Sequence, residues 1–385
     1  MRQRMAPADV TWEQVAAWRS RRHGLHERAP AKDMIELTDR LCGVHAQVMS
    51  SAELTLWARI DDLDPDAVAN ALWRDRTLVK TWAMRGTLHL LPARDYGMWQ
   101  AAMSTQYERF TKPAWSRASG LQPDELERLI EAVREALDGD PLTREELAET
   151  ATRESGDPKL GAALRESWGS MLKPAAYLGA LCFAPGDGQK VRFTRPDAWL
   201  AEHLDGNPPD PEDAAAEAAR RYLAVHGPGT REDVARWWGV QPAPGGRLIK
   251  RLGDDVAEVV IEGEPHFALR SDVDDLTSAQ PVDSIRLLPG FDQFVLAATR
   301  HAERFLPPGD HRPLIYRSQG WITAVLFVDG RIDGVWRFER KGKRFAVEIE
   351  PFAGAKPTKR VREAAEAEAE RLAAFMGGDL SLTWS

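Results

Sequence analysis

The chain has 385 residues, of which 43% are hydrophobic and 29% charged, a composition typical of a globular protein with about two to four domains. Its 51 Lys and Arg residues against 59 Asp and Glu give a net charge of −8, which excludes non-specific attraction to nucleic acid over the whole surface. The sequence contains neither a membrane-length apolar run nor a secretory signal, and two cysteines, Cys42 and Cys182, are too few for a disulfide framework or a structural zinc site. We therefore expect a cytoplasmic protein in which both cysteines are buried hydrophobes.

The N-terminal third predicts three helices and a hairpin. Helical periodicity covers residues 11–22, 33–48 and 65–74, and β-branched and aromatic residues then flank an Arg85-Gly86 turn over residues 77–91. A further helix is predicted over residues 95–114. Three helices followed by a hairpin is the order of a winged helix.

A short internal repeat marks the middle of the chain. Residues 141–148 and 228–235 share the pattern P-x-T-R-E-[ED]-[LV]-A, in which Thr143 and Thr230 begin capping boxes. Each copy lies between an amphipathic helix, at 123–137 or 211–225, and a third helix, at 164–181 or 246–252. Each is followed by a hairpin, at 181–193 or 259–269. The repeat therefore predicts two more winged helices.

From about Pro281 the pattern changes to short strands at residues 284–288, 320–328, 330–338 and 345–350, which predict a small barrel or curled sheet. A last helix over residues 358–376, capped by Gly377, is expected to pack on that sheet. The predicted fold class is α+β, with three tandem winged-helix modules, 1–114, 115–205 and 206–280, and a C-terminal barrel-like domain, 281–385. Trp82, Trp321 and Trp336 are assigned to cores.

The triplet His45-Ala46-Gln47 holds two side chains that can handle a proton or a water molecule. On an extended backbone positions 45 and 47 face the same side, whereas on an ideal helix they diverge by about 200°. We therefore predict that the preceding helix ends or distorts near the triplet. The alternative is a helix-end cap and a surface polar residue with no chemical role.

The motifs that surround this triplet occur together in one known family. They are Gly43–Gln47 with Ser50–Glu53, Thr81–His89, Leu287–Asp292, and Val328–Arg331 with Gly334–Arg337. With them, essentially the whole chain resembles the winged-helix DNA-binding family that contains the AlkZ and YcaQ DNA glycosylases. The resemblance implies tandem winged helices bent around duplex DNA, a C-terminal barrel, and removal of bulky or crosslinked alkylated bases. The family's catalytic Gln-apolar-Gln or Gln-apolar-Asp triplet aligns with residues 45–47, where His45 replaces the first Gln.

These residues fit hydrolysis of an N-glycosidic bond. Alkylation at N7 makes a purine cationic and weakens this bond, so the remaining task is to hold a water molecule against an oxocarbenium-like sugar. Gln47 is predicted to orient that water and to offer an oxygen dipole. Neutral His45 would accept the water's proton, a role that typically contributes about 10² to 10⁴ in rate. Because an imidazolium would repel the sugar cation, we expect activity to fall in acid.

DNA contacts are predicted for two hairpins. The C-terminal one carries an excess of cations, Arg337, Arg340, Lys341, Lys343 and Arg344, which predicts a hairpin that probes duplex DNA, the alternative being a solvated turn. In the first hairpin, Lys80 and Arg85 are predicted to bind DNA, although Arg85 also fits an ion pair with a neighbouring helix. His89 is predicted to be buried structure. A turn or cap role for Asp292 fits the sequence at least as well as a role in the site.

Two other classes of function remain open: a non-catalytic winged-helix regulator whose third helices read the major groove, and a protein-interaction module. The predicted third helices argue weakly against the regulator, because only residues 246–251 are rich in cations. None of the nine His residues stands at metal-ligand spacing from Asp, Glu or Cys, and nucleotide-binding loops are absent. We therefore expect a monomer that needs no metal or cofactor and binds duplex DNA containing alkylated bases.

Overall fold

A computed structural model describes residues 7–166, 169–188, 190–204 and 208–385. The fold is mixed α+β, as predicted, and divides into two compact units. The first unit combines the residues up to Ala67 with Ala219–Ser385, and the second unit is Val68–Ala218. These boundaries fall inside the first and third modules that the sequence predicts.

The N-terminal part of the first unit contains three helices separated by short strands: β1 Ala8–Val10, α1 Trp12–Arg22, β2 Ala29–Pro30, α2 Met34–Arg40, β3 Val44–His45, α3 Met49–Trp57 and β4 Ile60–Asp61. The helix predicted over residues 33–48 is therefore shorter. Cys42 and Gly43 adopt left-handed backbone angles, with φ of 58° and 82°, which a right-handed helix cannot contain. The prediction that this helix ends near the triplet is confirmed.

The second unit holds the first predicted hairpin and the first copy of the repeat. Its elements are α4 Ala67–Trp73, β5 Leu78–Trp82, β6 Leu88–Pro92, α5 Tyr96–Ser104, α6 Pro113–Ser119, α7 Pro123–Ala136, β7 Leu142–Thr143, α8 Arg144–Ser155, α9 Pro158–Glu166, α10 Leu172–Tyr177, β8 Cys182–Asp187, β9 Lys190–Thr194 and α11 Pro196–Trp199. Strands β5 and β6 pair antiparallel, and β7, β9 and β8 form a three-stranded sheet in that order. The capping box at Thr143 is present as predicted.

Two helices predicted in the second unit are wrong in extent. The one over residues 95–114 is broken, because α5 ends at Ser104 and α6 begins at Pro113, a residue that disfavours helical backbone just before it. The one over residues 164–181 is two shorter helices, α9 and α10. Gly169, between them, has a φ of 84°, and Gly179, beyond α10, has a φ of 70°, so left-handed residues interrupt the helical periodicity on both sides of α10.

The second copy of the repeat follows α12 Pro211–His226, a helix that contains the boundary between the units at Ala218 and Ala219. The elements that follow lie in the first unit: α13 Arg231–Trp238, α14 Pro242–Arg251, β10 Val256–Ile261, β11 Glu264–Leu269 and α15 Val273–Thr277. The capping box at Thr230 is confirmed, and β10 and β11 form the predicted hairpin. Strand β1 pairs in parallel with β10, with Ala8 opposite Val259. The N-terminus therefore extends this hairpin into a three-stranded sheet.

The C-terminal region is an open sheet with helices, and its elements are β12 Ile285–Leu288, α16 Gln293–Ala298, α17 Arg312–Ile315, β13 Val325–Val328, β14 Arg331–Lys341, β15 Arg344–Pro351, α18 Lys359–Met376 and β16 Asp379–Trp384. The strands follow the order β12-β13-β14-β15-β16, so the sheet does not close into the barrel that was one of the two predicted forms. Helix α18 packs on β12 and β16. Its C-cap is Gly377, as predicted, and its N-cap is Thr358, which was predicted as the first residue of the helix. Strand β16, which pairs in parallel with β15, was not predicted.

The exposed fraction of the Cys and Trp side chains tests their predicted assignment to cores. Cys42 and Cys182 are both buried, as predicted, and so are Trp82 and Trp336. Trp321 is 50% exposed, so its assignment to a core is wrong; it precedes β13, which begins only at Val325 instead of residue 320. Among the described residues, no helix is both long and apolar enough to cross a membrane.

Candidate active site

The predicted catalytic triplet lies between α2 and α3. His45 ends the extended strand β3, Ala46 is fully buried, and Gln47 follows in a bend before α3 begins at Met49. The two side chains differ in accessibility, because Gln47 is exposed while only 5% of His45 is exposed. The extended strand reaches only to His45, and Gln47 lies in the bend beyond it, so the common facing of the two side chains stays a prediction.

A distant segment, Phe291-Asp292-Gln293, fixes the surroundings of the triplet. The ring of Phe291 stacks on the imidazole of His45, with centroids 5.1 Å apart and an interplanar angle of 19°. The side-chain amide of Gln293 donates a hydrogen bond to the carbonyl of Gly43, just before β3. Of these three residues, only Asp292 was a candidate on its own from the sequence, because an apolar ring and an amide about 250 residues away give no local signal of this contact.

Asp292 anchors this segment from inside the core. Its carboxylate receives two hydrogen bonds from Arg59, at 2.7 and 2.8 Å, and a third from the backbone N–H of Phe294 at the start of α16. Arg59 also donates to the carbonyls of His23 and Thr55. The predicted cap role of Asp292 is confirmed, and it serves at the same time as a buried counter-charge.

Trp321 forms the exposed edge of this aromatic group. Its indole lies edge-on to Phe291, with centroids 5.1 Å apart and an interplanar angle of 76°. The turn before it contains Gln319 and Gly320 at φ of 59° and 77°, which turns the chain sharply. Gly290 permits the close approach of the two segments, since a Cβ there would lie 2.8 Å from the carbonyl oxygen of Ile322. His45, Phe291 and Trp321 thus form a continuous aromatic row from the interior to solvent.

The hairpin of β14 and β15 carries the predicted cationic patch. Beyond Trp336, every residue of β14 is exposed, and Lys341 pairs with Arg344 across the turn at Gly342. Arg337 donates two hydrogen bonds to Glu348, and Lys341 lies 3.0 Å from Glu339. Within the described part of the chain, no ion pair with a carboxylate joins Arg340, Lys343 or Arg344. The net positive charge is therefore concentrated at the hairpin tip.

The predicted DNA contacts of the first hairpin lie in the second unit. The ammonium of Lys80 lies 5.0 Å from the centre of the Phe183 ring. Arg85 occupies the β5–β6 turn with a φ of 60° and is partly exposed. His89 is buried on β6, and its Nδ1 lies 3.1 Å from the carbonyl oxygen of Thr87, so the prediction of a buried structural role is confirmed.

One group of potential metal ligands, which the sequence spacing did not reveal, lies in the first unit. The ligand atoms of Asp233, His266 and His301 all lie within 4.8 Å of one another. However, the Asp233 carboxylate already accepts hydrogen bonds from Thr230, Arg300 and His301. Burial opposes ionisation of Asp233, but the hydrogen bond and charge of His301 outweigh it and hold the pKa of this carboxyl well below its usual range. The group is an ion-pair network built on the α13 capping box.

Comparisons with known proteins identify the family. The family model described as DNA glycosylase AlkZ-like matches residues 38–375. The chain belongs to the AlkZ-like DNA glycosylase family. It is 39% identical over 332 residues to an interstrand DNA cross-link repair glycosylase from Streptomyces sahachiroi, covering 85% of this chain and 88% of that relative. The solved structure of the Streptomyces sahachiroi DNA glycosylase AlkZ matches with a TM-score of 0.86 and 35% identity, over 98% of this chain and all of that one.

Membership in this family settles the class of activity that the sequence predicted. The protein is a DNA repair glycosylase, and therefore a hydrolase that acts on DNA. The matched region includes the triplet, the Phe291–Gln293 segment and the cationic hairpin, although it does not by itself assign a role to any of these residues.

Proposed function

We propose that this DNA glycosylase hydrolyses the N-glycosidic bond of bulky N7-alkylated purines in duplex DNA, and that His45 and Gln47 carry the reaction. The observation that supports these roles is the break between α2 and α3, which puts buried His45 at the end of strand β3 and exposed Gln47 in the bend that follows. The Streptomyces sahachiroi relative is described as an interstrand cross-link repair glycosylase. That description supports crosslinked purines among the substrates.

In the proposed reaction, the exposed carboxamide of Gln47 holds a water molecule and directs its oxygen to C1′ of the deoxyribose. The bond between C1′ and N9 breaks, and its electron pair neutralises the positive charge of the alkylated purine. As the water oxygen bonds to C1′, His45 accepts the proton that the water loses. The products are the free alkylated base and an abasic site, so no further reactant is required.

The row formed by His45, Phe291 and Trp321 supports the proposal of a bulky cationic substrate. A cation is attracted to the face of an aromatic ring, most strongly to that of Trp. An N7-alkylated purine is both planar and cationic, and the half-exposed Trp321 offers its indole at the solvent end of the row that begins at His45. We assign Trp321 the role of a stacking platform for the alkylated base.

The DNA backbone is proposed to contact two sets of cations. The hairpin tip supplies Arg340, Lys343 and Arg344, which have no carboxylate partner in the residues that the structure describes, together with Arg337 and Lys341. The second unit supplies Lys80 and Arg85. Phosphate contacts of this kind position a duplex without reading its sequence, which suits an enzyme that must find damage in any sequence context.

We also propose that the helices and hairpins form three winged-helix modules, at 1–114, 115–205 and 206–280, followed by the C-terminal sheet domain at 281–385. Support comes from α7, α8 and α9 with the β7-β9-β8 sheet, and from α12, α13 and α14 with β10 and β11. We propose further that the protein acts as a monomer and in the cytoplasm, where its DNA substrate would lie.

The test is an excision assay. Duplex oligonucleotides carrying N7-alkylguanines of increasing size are incubated with the protein, and abasic sites are counted. We expect the wild type to release the base, and both His45→Ala and Gln47→Ala to bind the duplex but release the base at a strongly reduced rate. Release by both variants at the wild-type rate would move the catalytic site elsewhere, and binding by the wild type without any release would contradict N7-alkylated purines as the substrate.

A further inference from the structure

Three cations from separate segments of the second unit lie near Tyr177 or the Gly86 turn beside it. Arg85 lies in the β5–β6 turn, Arg109 in the 3-10 turn Tyr107–Phe110, and Lys173 near the start of α10. The Tyr177 hydroxyl donates a hydrogen bond to the carbonyl of Ala83, at 3.2 Å, and so joins α10 to the turn. We call Arg85, Arg109 and Lys173 the Lys173 cluster.

The backbone of the turn lets Lys173 come close. A Cβ at Gly86, whose φ is 67°, would lie 3.8 Å from Nζ of Lys173 and 3.5 Å from the Tyr177 oxygen. Arg109 is held from the other side, where its guanidinium lies 5.3 Å from the centre of the Phe110 ring and donates to the side chain of Gln106 at 3.1 Å. The Phe110 and Tyr177 rings are in contact, with centroids 5.3 Å apart.

The local field in this cluster is positive. Burial lowers the pKa of Lys173, and the charge of Arg109 lowers it further. Burial raises the pKa of Tyr177 to about 12, while the charges of Arg109 and Arg85 oppose that rise. Over the described residues, neither Lys173 nor Arg109 forms an ion pair with an acidic side chain. Lys173 and Arg109, which have no acidic partner in the described part of the chain, would be stabilised by an external anion.

The cluster is accessible to such an anion, because Arg109 is exposed while Arg85 and Lys173 are partly exposed. We propose that Lys173 and Arg109, with Arg85 beside them, form a phosphate-binding site that holds a backbone phosphate of the DNA substrate. This inference deepens the proposed function, since it rests on duplex DNA as the partner. It adds Lys173 and Arg109, which no sequence pattern indicated, to the DNA contacts.

The experiment measures the affinity for an undamaged duplex by fluorescence anisotropy over a range of salt concentrations. Each phosphate contact that is lost reduces the slope of log K against log salt concentration by about 0.9. We expect Lys173→Met, which keeps the aliphatic stem, to lower affinity and reduce the slope by about this amount, and Lys173→Arg to retain both. Arg109→Gln, at an exposed position, tests the cluster independently of the packing around Lys173.

The matched control is Arg153→Gln, because Arg153 is an exposed cation of the same unit that is paired with Glu154; we expect its slope to equal that of the wild type. Unchanged slopes in both Lys173→Met and Arg109→Gln would overturn the proposal. Titration with inorganic phosphate distinguishes a DNA phosphate from free phosphate as the ligand. The proposal would also be overturned if Lys173→Met abolished the binding of free phosphate but left the salt slope of duplex binding unchanged. Because base release is not measured here, failure of the glycosidic chemistry would be seen only in the excision assay.

Discussion

Arg59 and Asp292 form a fully buried ion pair, with Nη1 to Oδ2 at 2.7 Å and Nη2 to Oδ1 at 2.8 Å. The pair joins Arg59, two residues beyond the end of α3, to the residue that precedes α16, and the two positions lie 233 residues apart in the chain. Phe291 is the neighbour of Asp292 and the stacking partner of His45. The ion pair therefore fixes both the core and one side of the candidate site.

Removing one charge of this pair is expected to lower the free energy of unfolding strongly. Asp292→Asn keeps an oxygen to cap α16 but leaves Arg59 buried without a counter-charge, which typically costs about 3 to 5 kcal/mol. We expect this loss in the free energy of unfolding measured with urea. Glu303→Gln is the control, because Glu303 is exposed in its pair with Arg312 and such surface pairs contribute about 1 kcal/mol or less. Equal effects of the two substitutions would contradict the structural role of Asp292.

The proposed base role of His45 predicts the pH profile of base release. Below the pKa of a required base, the single-turnover rate should fall about tenfold per pH unit. His45→Gln replaces the imidazole with the residue that the family resemblance places at this position, and a carboxamide does not titrate. We expect this variant to release the base at a rate that is nearly independent of pH between 5 and 8. A wild-type rate that stays flat down to pH 5 would remove His45 from the base role.

Trp321 is expected to affect bulky cationic substrates most. Stacking of a base on an aromatic side chain is worth about 1 to 3 kcal/mol, so Trp321→Ala should lower kcat/KM for a large N7-alkylguanine by about 5- to 150-fold. Trp321→Phe should retain part of the activity. Trp384→Ala is the control, because Trp384 on β16 is another partly exposed indole. Its ring lies against the guanidinium of Arg362 on α18. Equal activity of Trp321→Ala and the wild type would exclude the stacking role.

The sequence predicts a structural feature when the residues that cause it lie close together in the chain. The capping boxes at Thr143 and Thr230 are confirmed because they involve residues three positions apart. The end of α2 was predicted from the needs of the triplet, but its cause, left-handed backbone at Cys42 and Gly43, is visible only in the structure. Phe291 and Gln293 could not be assigned, because their partners His45 and Gly43 lie about 250 residues away.

Hydrophobic periodicity also gives a wrong prediction of burial where a turn changes which side chains face the core. The indole of Trp321 stands before an apolar run, so the pattern placed it in a strand and in a core. The turn at Gln319 and Gly320 turns the chain before β13 begins, and the side chain is half exposed. The exposure that makes Trp321 a candidate for substrate contact therefore depends on backbone angles, which hydrophobic patterning does not report.

The cationic hairpin predicts an uneven effect of charge removal. Lys343→Gln and Arg344→Gln remove charges at the tip, so each should reduce the salt slope of duplex binding by about 0.9. Arg337→Gln is the matched control on the same hairpin, because Arg337 already donates two hydrogen bonds to Glu348 and should change the slope less. Anisotropy with an undamaged duplex measures all three. A larger change for Arg337→Gln than for the tip variants would show that the hairpin stem, not its tip, contacts the phosphates.

The buried histidine pair in the first unit predicts how stability depends on pH. His23 is fully buried, with its Nε2 3.1 Å from Nδ1 of His226. Burial, together with His226 and the charges of Arg59 and Arg19, holds the pKa of His23 well below its ordinary value of 6.5. Above pH 6.5 both the folded and the unfolded chain carry neutral His23, so the folded state loses nothing there.

As the pH falls below 6.5, the unfolded chain binds a proton that the folded chain cannot accept, and stability declines until the folded pKa is reached. The decline from this residue is at most about 1.4 kcal/mol per pH unit. We expect the free energy of unfolding in urea to decrease between pH 7 and 5, and His23→Asn to show a shallower decrease. Burial also lowers the pKa of His266, which therefore adds to the loss of stability in acid. Burial raises the pKa of Asp272 and Asp333, and these carboxyls therefore oppose that loss. The difference between the wild type and His23→Asn in the slope of unfolding free energy against pH gives the contribution of His23. Identical slopes would show that His23 has the same pKa in the folded and unfolded chains.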